Sequence, residues 1–288
     1  MKIAVAIATV GRPEILAVTI GLLHKQTRLP DLIIVAPGGP ADVEGVESSL
    51  PMQMVYGPKG SSAQRNTMLD ALEGYDVVLF LDDDFLVADD YLEHVETAFA
   101  DPDLVLATGK VLADGARGAG LSVESGLATL QTSAAIADGS RDTLAGYGCN
   151  MAVRLAPVLA NDLRFDVNLP LYAWLEDWDF SAALRKVSQG RIRQFDSMRG
   201  VHLGSKRGKQ SGLRLGYSQV ANPIYLAGKD MLPKKRLYGL VRQNVLANLV
   251  RVIAPEPHID RWGRLRGNAL AFWDLARGQC SPKRIESF

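Results

Sequence analysis

VVLFLDDD, at residues 77–84, is the stretch of sequence that decides the fold. Its five apolar residues are rich in β-branched and aromatic side chains, which predicts a short strand buried on both faces. Three carboxylates, Asp82, Asp83 and Asp84, follow at once. Because ligands of open α/β sheets bind outside the carboxyl ends of the strands, this stretch predicts a site at the acidic cluster.

The acidic cluster also indicates a kind of ligand. Adjacent carboxylates repel one another, so a fold keeps them together where a cation relieves the repulsion. Oxygen-rich clusters suit hard divalent ions such as Mg²⁺ or Mn²⁺, which also bind phosphate groups. Taken alone, a solvated acidic loop is the alternative interpretation.

Strand and helix patterns alternate on both sides of this stretch. Apolar runs at residues 3–8 and 31–36 predict strands, and Pro13 suits the first position of the helix between them. Further helices are predicted at residues 63–72 and 91–99, and another strand at residues 104–108. The alternation predicts an α/β fold with a mostly parallel central sheet flanked by helices. Residues 113–145 allow no assignment, and residues 199–216 are predicted to form a mobile basic loop.

Composition narrows the class of protein. With 288 residues, 47% of them hydrophobic and 22% charged, the chain fits one large domain or a domain with an appendage. Two cysteines exclude a disulfide framework and a cysteine-based metal site. We see no signal-peptide pattern and no apolar run of the roughly 18–20 residues that span a bilayer, so we expect a cytoplasmic protein.

Charge is placed unevenly along the chain. From Leu232 onward there are 11 basic and 4 acidic residues, although the whole chain has a formal charge of zero. We therefore predict a catalytic domain at residues 1–228 and a basic, amphipathic helical tail at residues 229–288. Such a tail could rest on an anionic membrane surface, pack on the main domain or bind a second subunit. We expect no nucleic-acid partner.

Four motifs occur in an order that resembles a known family. TVGRP at residues 9–13 ends the first strand, QRN at residues 64–66 opens a helix, the three aspartates end the central strand, and EDWDF at residues 176–180 begins a late helix. Together they resemble the family 2 glycosyltransferases, whose catalytic domain has the GT-A fold. Segments GCNMAVR at residues 148–154 and Phe165-Asp166 are similar to that family as well.

The resemblance implies an enzyme. It implies metal-dependent, inverting transfer of a hexose from a UDP-, GDP- or dTDP-sugar to a glycan or lipid-linked acceptor, as in bacterial surface polysaccharide synthesis. The implied cofactor is Mn²⁺ or Mg²⁺, acting as a Lewis acid on the leaving diphosphate. A sugar nucleotidyltransferase and a non-catalytic sugar-binding protein are the alternatives.

The resemblance also assigns the metal and phosphate residues. Asp84 would bind the metal, Asp82 would lie near the ribose, and Asp83 could take either role. His202 is a candidate third ligand because neutral imidazole suits such ions, with an ordinary polar residue as the alternative. Lys206 and Arg207 would close over the diphosphate, or would simply belong to a solvated basic loop.

Thr9, Arg12 and Arg65 match family positions that hold the base, ribose or phosphates. For Arg65 an ordinary salt bridge is the alternative. One departure concerns the base: where the family usually has an acidic pair after the second strand, this chain has APGGP at residues 36–40 and no acid until Asp42. The choice among uridine, guanosine and thymidine therefore stays open.

The EDWDF motif is expected to supply the catalytic base. A sugar hydroxyl needs a carboxylate within hydrogen-bond reach to take its proton as it attacks. By resemblance, Asp177 is that base, while Glu176 would hold the acceptor or a backbone group. Trp178 lies where an acceptor sugar could stack, although core packing is equally compatible with its position.

Overall fold

A computed structural model describes residues 1–133, 139–205 and 211–288. The strands in these ranges are β1 (Ile3–Thr9), β2 (Leu32–Pro37), β3 (Met52–Met54), β4 (Val77–Asp82), β5 (Phe85–Val87), β6 (Leu104–Asp114), β7 (Ser140–Asp142), β8 (Asn150–Arg154) and β9 (Arg191–His202). The α-helices are α1 (Pro13–Leu23), α2 (Ser61–Leu69), α3 (Tyr91–Ala98), α4 (Val123–Thr132), α5 (Leu155–Ala160), α6 (Glu176–Ser188), α7 (Gly212–Gly228), α8 (Lys234–Arg251) and α9 (Arg261–Ala276).

One sheet runs through the protein in the order β3-β2-β1-β4-β8-β6-β9-β5, with β7 also paired to β9. The pairs β1–β2, β1–β4, β2–β3 and β6–β9 are parallel, whereas β8 runs antiparallel between β4 and β6. Helices flank this sheet. The predicted α/β class, a mostly parallel sheet flanked by helices, is therefore confirmed.

The core lies on both faces of β4, as its continuous apolar sequence predicts. Val77, Leu79 and Leu81 join the hydrophobic cluster on one face, and Val78 and Phe80 join the cluster on the other. All five are almost completely buried. Because both faces of β4 are buried, a charged side chain anywhere in this run would lie in the core. The aspartates are therefore placed after the run, which fixes their register.

The turn after β4 positions the acidic cluster. β4 ends at Asp82 and β5 begins at Phe85, so the remaining two aspartates make the connection. β5 pairs antiparallel with the end of β9, and Phe85 lies opposite His202. A residue more than a hundred positions away in the chain is thereby brought beside the aspartates.

Two local predictions were wrong, and one segment without an assignment has regular structure. The strand predicted at residues 104–108 continues to Asp114, because its second half pairs with β9. The loop predicted at residues 199–216 is strand up to His202 and helix from Gly212, while its residues 206–210 lie outside the described ranges. Within residues 113–145, left unassigned, lie α4 and β7. In each case long-range pairing or packing outweighs a local composition that is rich in glycine or charge.

The C-terminal helices form a small core of their own. Tyr217, Val220 and Ala221 of α7 pack against Ala271 of α9 and Ile285. A second apolar cluster joins Leu226 of α7 and Leu232 to residues next to α6. Since α7 contacts both parts, the boundary predicted at residue 228 stays a prediction. No helix in the described ranges is long and apolar enough to cross a membrane.

Helices α7 and α9 cross at very short distance because glycines line the crossing. A Cβ atom on Gly216 would overlap the backbone of Arg264, and one on Gly267 would overlap the backbone of Leu213 and Tyr217. By contrast, a Cβ on Gly239 of α8 would meet no described atom within 4 Å.

We expect Gly216→Ala and Gly239→Ala to change stability in opposite directions. Overpacking the crossing should lower the free energy of unfolding by about 1–3 kcal/mol or more. Alanine at the open position should raise it by about 0.5–1 kcal/mol, because glycine loses more backbone entropy in a helix. Denaturant unfolding followed by circular dichroism measures both. Equal effects of the two variants would contradict the tight crossing.

Candidate active site

Asp82, Asp84 and His202 form a cluster suited to a metal ion. Their ligand atoms all lie within 4.8 Å of one another. The imidazole Nε2 of His202 is 3.4 Å from an Asp84 oxygen and 3.7 Å from an Asp82 oxygen. Two carboxylates and an imidazole converging on one point match the ligand preferences of Mn²⁺ and Mg²⁺, so these residues fit a divalent ion. The structure thus adds Asp82 to the predicted pair.

A fourth carboxylate orients the imidazole. Asp114 Oδ1 lies 3.0 Å from His202 Nδ1, and Tyr147 donates its hydroxyl hydrogen bond to the same carboxylate over 3.0 Å. This arrangement leaves Nε2 directed at the cluster, as in metal sites whose histidines are held by an outer carboxylate. Asp114 was missed in the sequence because the strand carrying it was predicted to end at Thr108.

Electrostatics at this cluster favour positive charge. Burial alone would lower the pKa of His202, but hydrogen bonds to Asp114 and Asp84 and the charge of Asp82 raise it to about 10. Burial opposes the change at Asp114 too, yet its hydrogen bond with His202 lowers the pKa of Asp114 to about 2. The surroundings of Nε2 therefore stabilise a cation, whether proton or metal.

Asp83 points away from the cluster. Its carboxylate accepts a 2.6 Å hydrogen bond from the Thr9 hydroxyl and contacts Arg12 at 2.5 Å. Arg12 also reaches Asp84 at 3.1 Å. Burial raises the pKa of Asp83 to about 7, with Arg12 opposing the shift. The predicted nucleotide residues Thr9, Arg12 and Asp83 therefore form one bonded group at the ends of β1 and β4.

A cavity of about 360 Å³ lies over this group. Gln64, at the start of α2, donates hydrogen bonds to the carbonyls of Ala36 at 2.6 Å and Thr9 at 3.2 Å, which holds the ends of β1 and β2 together beneath it. Lys59 and Arg214 line the cavity as well. Sequence reasoning missed Lys59, which lies in an unpatterned loop. Lys206 and Arg207, predicted to cover the diphosphate, lie outside the described residues.

Arg65 connects the acidic cluster to the EDWDF motif. Its guanidinium contacts Glu176 at 2.5 Å and Asp82 at 3.3 Å, and donates to the Gly148 carbonyl at 2.9 Å. Burial works against the charged form, but the carboxylates of Glu176 and Asp82 raise the pKa of Arg65. The contact is an ion pair between α2 and α6 across the fold.

Glu176 and Asp177 face different surroundings. Glu176 is only 8% exposed, and burial raises its pKa to about 8 although Arg65 opposes the shift. Asp177 is half-buried and accepts hydrogen bonds from the backbone N–H groups of Gly148 at 3.0 Å and Trp178 at 2.7 Å. Burial raises the pKa of Asp177 as well, against those two hydrogen bonds. The two backbone donors fix the Asp177 carboxylate in one orientation.

Trp178 packs against the start of the tail. Its indole N–H donates to the Met231 carbonyl at 2.9 Å, and the Arg236 guanidinium lies 4.9 Å from the ring centre. The role of Trp178 in stacking on an acceptor sugar therefore stays a prediction, as does the role of Glu176 in holding the acceptor. Tyr172, by contrast, is an exposed aromatic side chain at the rim of the cavity.

Comparison with solved structures identifies the fold. The mannosyltransferase PcManGT from Pyrobaculum calidifontis, solved with GDP-Man and Mn²⁺, matches with a TM-score of 0.57 and 14% identity over 96% of this chain and 75% of that chain. Residues 1–349 of S. aureus TarS match with a TM-score of 0.59 and 16% identity, over 100% of this chain and 83% of that chain. The same TarS fragment with UDP-GlcNAc matches with a TM-score of 0.57 and 18% identity over the same shares.

These likenesses show a GT-A-like glycosyltransferase fold, as the motif resemblance predicted. No protein-family model matches the sequence, and no curated protein is similar enough to match. At such low identity the likeness concerns the fold alone.

We expect the chain to bind Mn²⁺ without any nucleotide, and Asp84→Asn to abolish that binding. Asp114→Asn removes no direct ligand but releases His202, so the affinity should fall by roughly 10–100-fold. Electron paramagnetic resonance of free Mn²⁺ measures both effects. Asp142→Asn, on exposed β7, is the control that should bind like the parent protein. An Asp84→Asn variant with unchanged Mn²⁺ affinity would remove the cluster from consideration.

Proposed function

We propose that this protein is an inverting, metal-dependent hexosyltransferase of the family 2 type that uses a nucleotide-sugar donor. The observation that carries the proposal is the position of Arg65. One buried guanidinium contacts Asp82 of the acidic cluster and Glu176 of the EDWDF motif at 3.3 and 2.5 Å. Asp82 of the proposed metal site and the motif that contains the proposed base are thereby linked through one ion-pair chain.

The donor would occupy the cavity over β1 and β4. Asp82, Asp84 and His202 would hold the divalent ion, which when bound supplies Lewis-acid stabilisation of the leaving diphosphate. Arg12, Lys59 and, from α7, Arg214 bring positive charge to the same cavity. Because these cations are already in place before the reaction, they do not have to move in order to stabilise the negative charge that grows on the leaving oxygen.

Asp177 would act as the general base. The acceptor hydroxyl oxygen forms a bond to the anomeric carbon while the bond from that carbon to the diphosphate oxygen breaks on the opposite face, which inverts the centre. The hydroxyl proton passes to Asp177. Burial raises the pKa of Asp177 and makes its carboxylate a stronger base than a solvated one. The backbone N–H groups of Gly148 and Trp178 hold the Asp177 carboxylate in a fixed orientation.

The solved neighbours support a nucleotide-sugar donor, since one was solved with GDP-Man and Mn²⁺ and another with UDP-GlcNAc. Their donors differ in base and sugar, so both UDP- and GDP-sugars belong in a first assay, together with dTDP-sugars. A glycan or lipid-linked acceptor and a role in bacterial surface polysaccharide synthesis complete the proposal.

The decisive test compares Asp177→Asn with Glu176→Gln. Removing a general base lowers turnover by about 10²–10⁴-fold. Asp177→Asn is nearly isosteric, so Kd for the nucleoside diphosphate with Mn²⁺, measured by calorimetry, should not change. Glu176→Gln keeps a neutral partner for Arg65 and should lower kcat far less, with its main effect on the acceptor KM.

Near-normal turnover in Asp177→Asn, together with a dead Glu176→Gln that still binds nucleotide, would reverse the two assignments. Release of pyrophosphate from a nucleoside triphosphate would favour the nucleotidyltransferase alternative instead. Absence of nucleoside diphosphate binding with any base would reject the transferase proposal itself.

We further propose that helices α8 and α9 rest on an anionic membrane surface. Exposed apolar side chains concentrate on these helices and the segment between them: Tyr238, Leu246, Leu249, Val250, Ile253, Trp262, Phe272, Trp273 and Leu275. Leu249 is 52% exposed, and Trp262 and Trp273 are each 61% exposed. Lys235 and Arg242 of α8 are exposed, as is Arg277 directly after α9. Aromatic and basic side chains together suit the headgroup region.

We expect the protein to sediment with phosphatidylglycerol vesicles at low salt and to be released by salt, since each surface cation contributes about 1 kcal/mol there. Replacing both Trp262 and Trp273 with serine should weaken binding by roughly tenfold or more, from lost apolar burial. Tyr56→Ser, at an exposed position elsewhere, is the matched control. A parent protein that stays in the supernatant at low salt would contradict the membrane proposal and favour a structural role for these helices, in packing or in binding a second subunit.

A further inference from the structure

A second cavity, of about 400 Å³, lies between the GT-A-like part and the C-terminal helices. Tyr172 and Ser211 line both this cavity and the proposed donor cavity, so the two adjoin. Its walls come from four regions: Ala116 after β6, Tyr172 and Trp174 before α6, residues of α7, and residues of the tail between Asn244 and Arg264. Every ligand in this second cavity would thus lie next to the donor.

The aromatic side of the cavity suits a sugar ring. Tyr172 is largely exposed, and Trp174 is half-buried beside it. Flat aromatic faces pack against the apolar face of a pyranose while leaving its hydroxyls free. The opposite wall is polar, but its amides are already used: Gln219 donates to Asn244 at 3.0 Å and accepts from Asn248 at 2.8 Å. The amides of Gln219 and Asn244 therefore form the wall of the cavity, and a different group recognises the ligand.

Arg264 is that group. Arg264 is half-buried and lines the cavity wall, and no carboxylate in the described ranges makes an ion pair with its guanidinium. The neighbouring Arg261 is different, because Glu256 neutralises it at 2.7 Å. The Asp260 carboxylate, which lines the same cavity, accepts the Gly263 N–H at 2.7 Å and caps α9. Burial, followed by the charge of Arg261, lowers the pKa of Arg264 against the charges of Glu256 and Asp260, so a further negative charge beside the guanidinium is favoured.

We propose that this second cavity binds an acceptor sugar that carries an oxyanion, either a carboxylate or a phosphate, with Arg264 as the anion-binding residue and Tyr172 and Trp174 as the surface for the ring. The assignment of the sugar as acceptor rests on the proposed transferase function; the binding of an anionic sugar does not. Guanidinium presents paired donors that match the geometry of both oxyanions. A neutral sugar of the same size would leave this cation unpaired, which is the basis of discrimination.

The test uses matched probe pairs: glucose against glucuronate, and glucose against glucose 6-phosphate. Saturation-transfer NMR titrations would be run without nucleotide, in EDTA, and again with nucleoside diphosphate and Mn²⁺ filling the donor cavity. We expect at least one charged probe to bind roughly 10–100-fold tighter than glucose, the usual strength of a charge-assisted hydrogen bond. Comparison of the two charged probes tells which oxyanion is preferred.

Arg264→Gln should remove the preference for the charged probe, and Arg264→Lys should retain part of it. Arg266→Gln is the matched control, because Arg266 lies two residues along the same helix, is exposed, and does not line the cavity. Unfolding midpoints of the three variants establish that each is folded. Equal affinities for charged and neutral probes, or a preference that survives Arg264→Gln, would overturn the proposal.

The two proposals fail in different ways. If nucleoside diphosphate does not bind but the charge preference depends on Arg264, the transferase function is wrong and the anion site stands. If nucleotide binds and transfer occurs, but the acceptor KM is the same in Arg264→Gln and Arg266→Gln, the anion site is wrong and the transferase function stands.

Discussion

Three consecutive carboxylates at the end of a buried strand are the constraint on which the rest of this structure depends. Left together in a half-buried turn, they would repel strongly. The fold offsets this repulsion by surrounding the three carboxylates with cationic and hydrogen-bonding partners. Asp82 meets Arg65, Asp83 meets Arg12 and Thr9, and Asp84 meets Arg12 and His202. These partners come from different elements. Pairing the carboxylates of the turn therefore positions the β1–α1 loop, α2 and the end of β9 at once.

The parts of this arrangement that the sequence predicts are those with a local pattern. β4 could be predicted because a continuous apolar run of its length has few alternatives, and the aspartates follow it directly. Arg65 and the EDWDF motif could be found because they begin helices in a family-like order. Asp114 could not be predicted, because nothing local indicates that β6 continues to it. Its position depends on pairing with β9, a strand almost a hundred residues further along.

The same distinction explains the outcome for Glu176 and Asp177. Adjacent residues on a helix point about 100° apart, so the sequence predicts that they differ but does not say which one faces inward. That choice is made by Arg65, which arrives from α2 and takes Glu176, and by the Gly148 N–H, which takes Asp177. Both contacts span long separations in sequence. Motif matching therefore identified the pair, whereas tertiary packing separated its members.

The C-terminal helices show how a distant part of the chain can shape a site. The buried amide of Asn248 donates to both Gln219 and Asn268 and accepts from Arg261, which joins α7, α8 and α9. Buried polar groups of this kind stabilise little more than apolar packing would, but an unpaired one is costly, so they favour a single register.

The register matters here because Arg214 of α7 lines the donor cavity while Arg264 of α9 lines the second cavity. A slip of one turn between α7 and α9 would move one guanidinium about 5.4 Å relative to the other, more than a hydrogen bond tolerates. The amide network and the glycine crossing thus set the spacing between the two cavities, and Gln219 of that network also lines the second cavity.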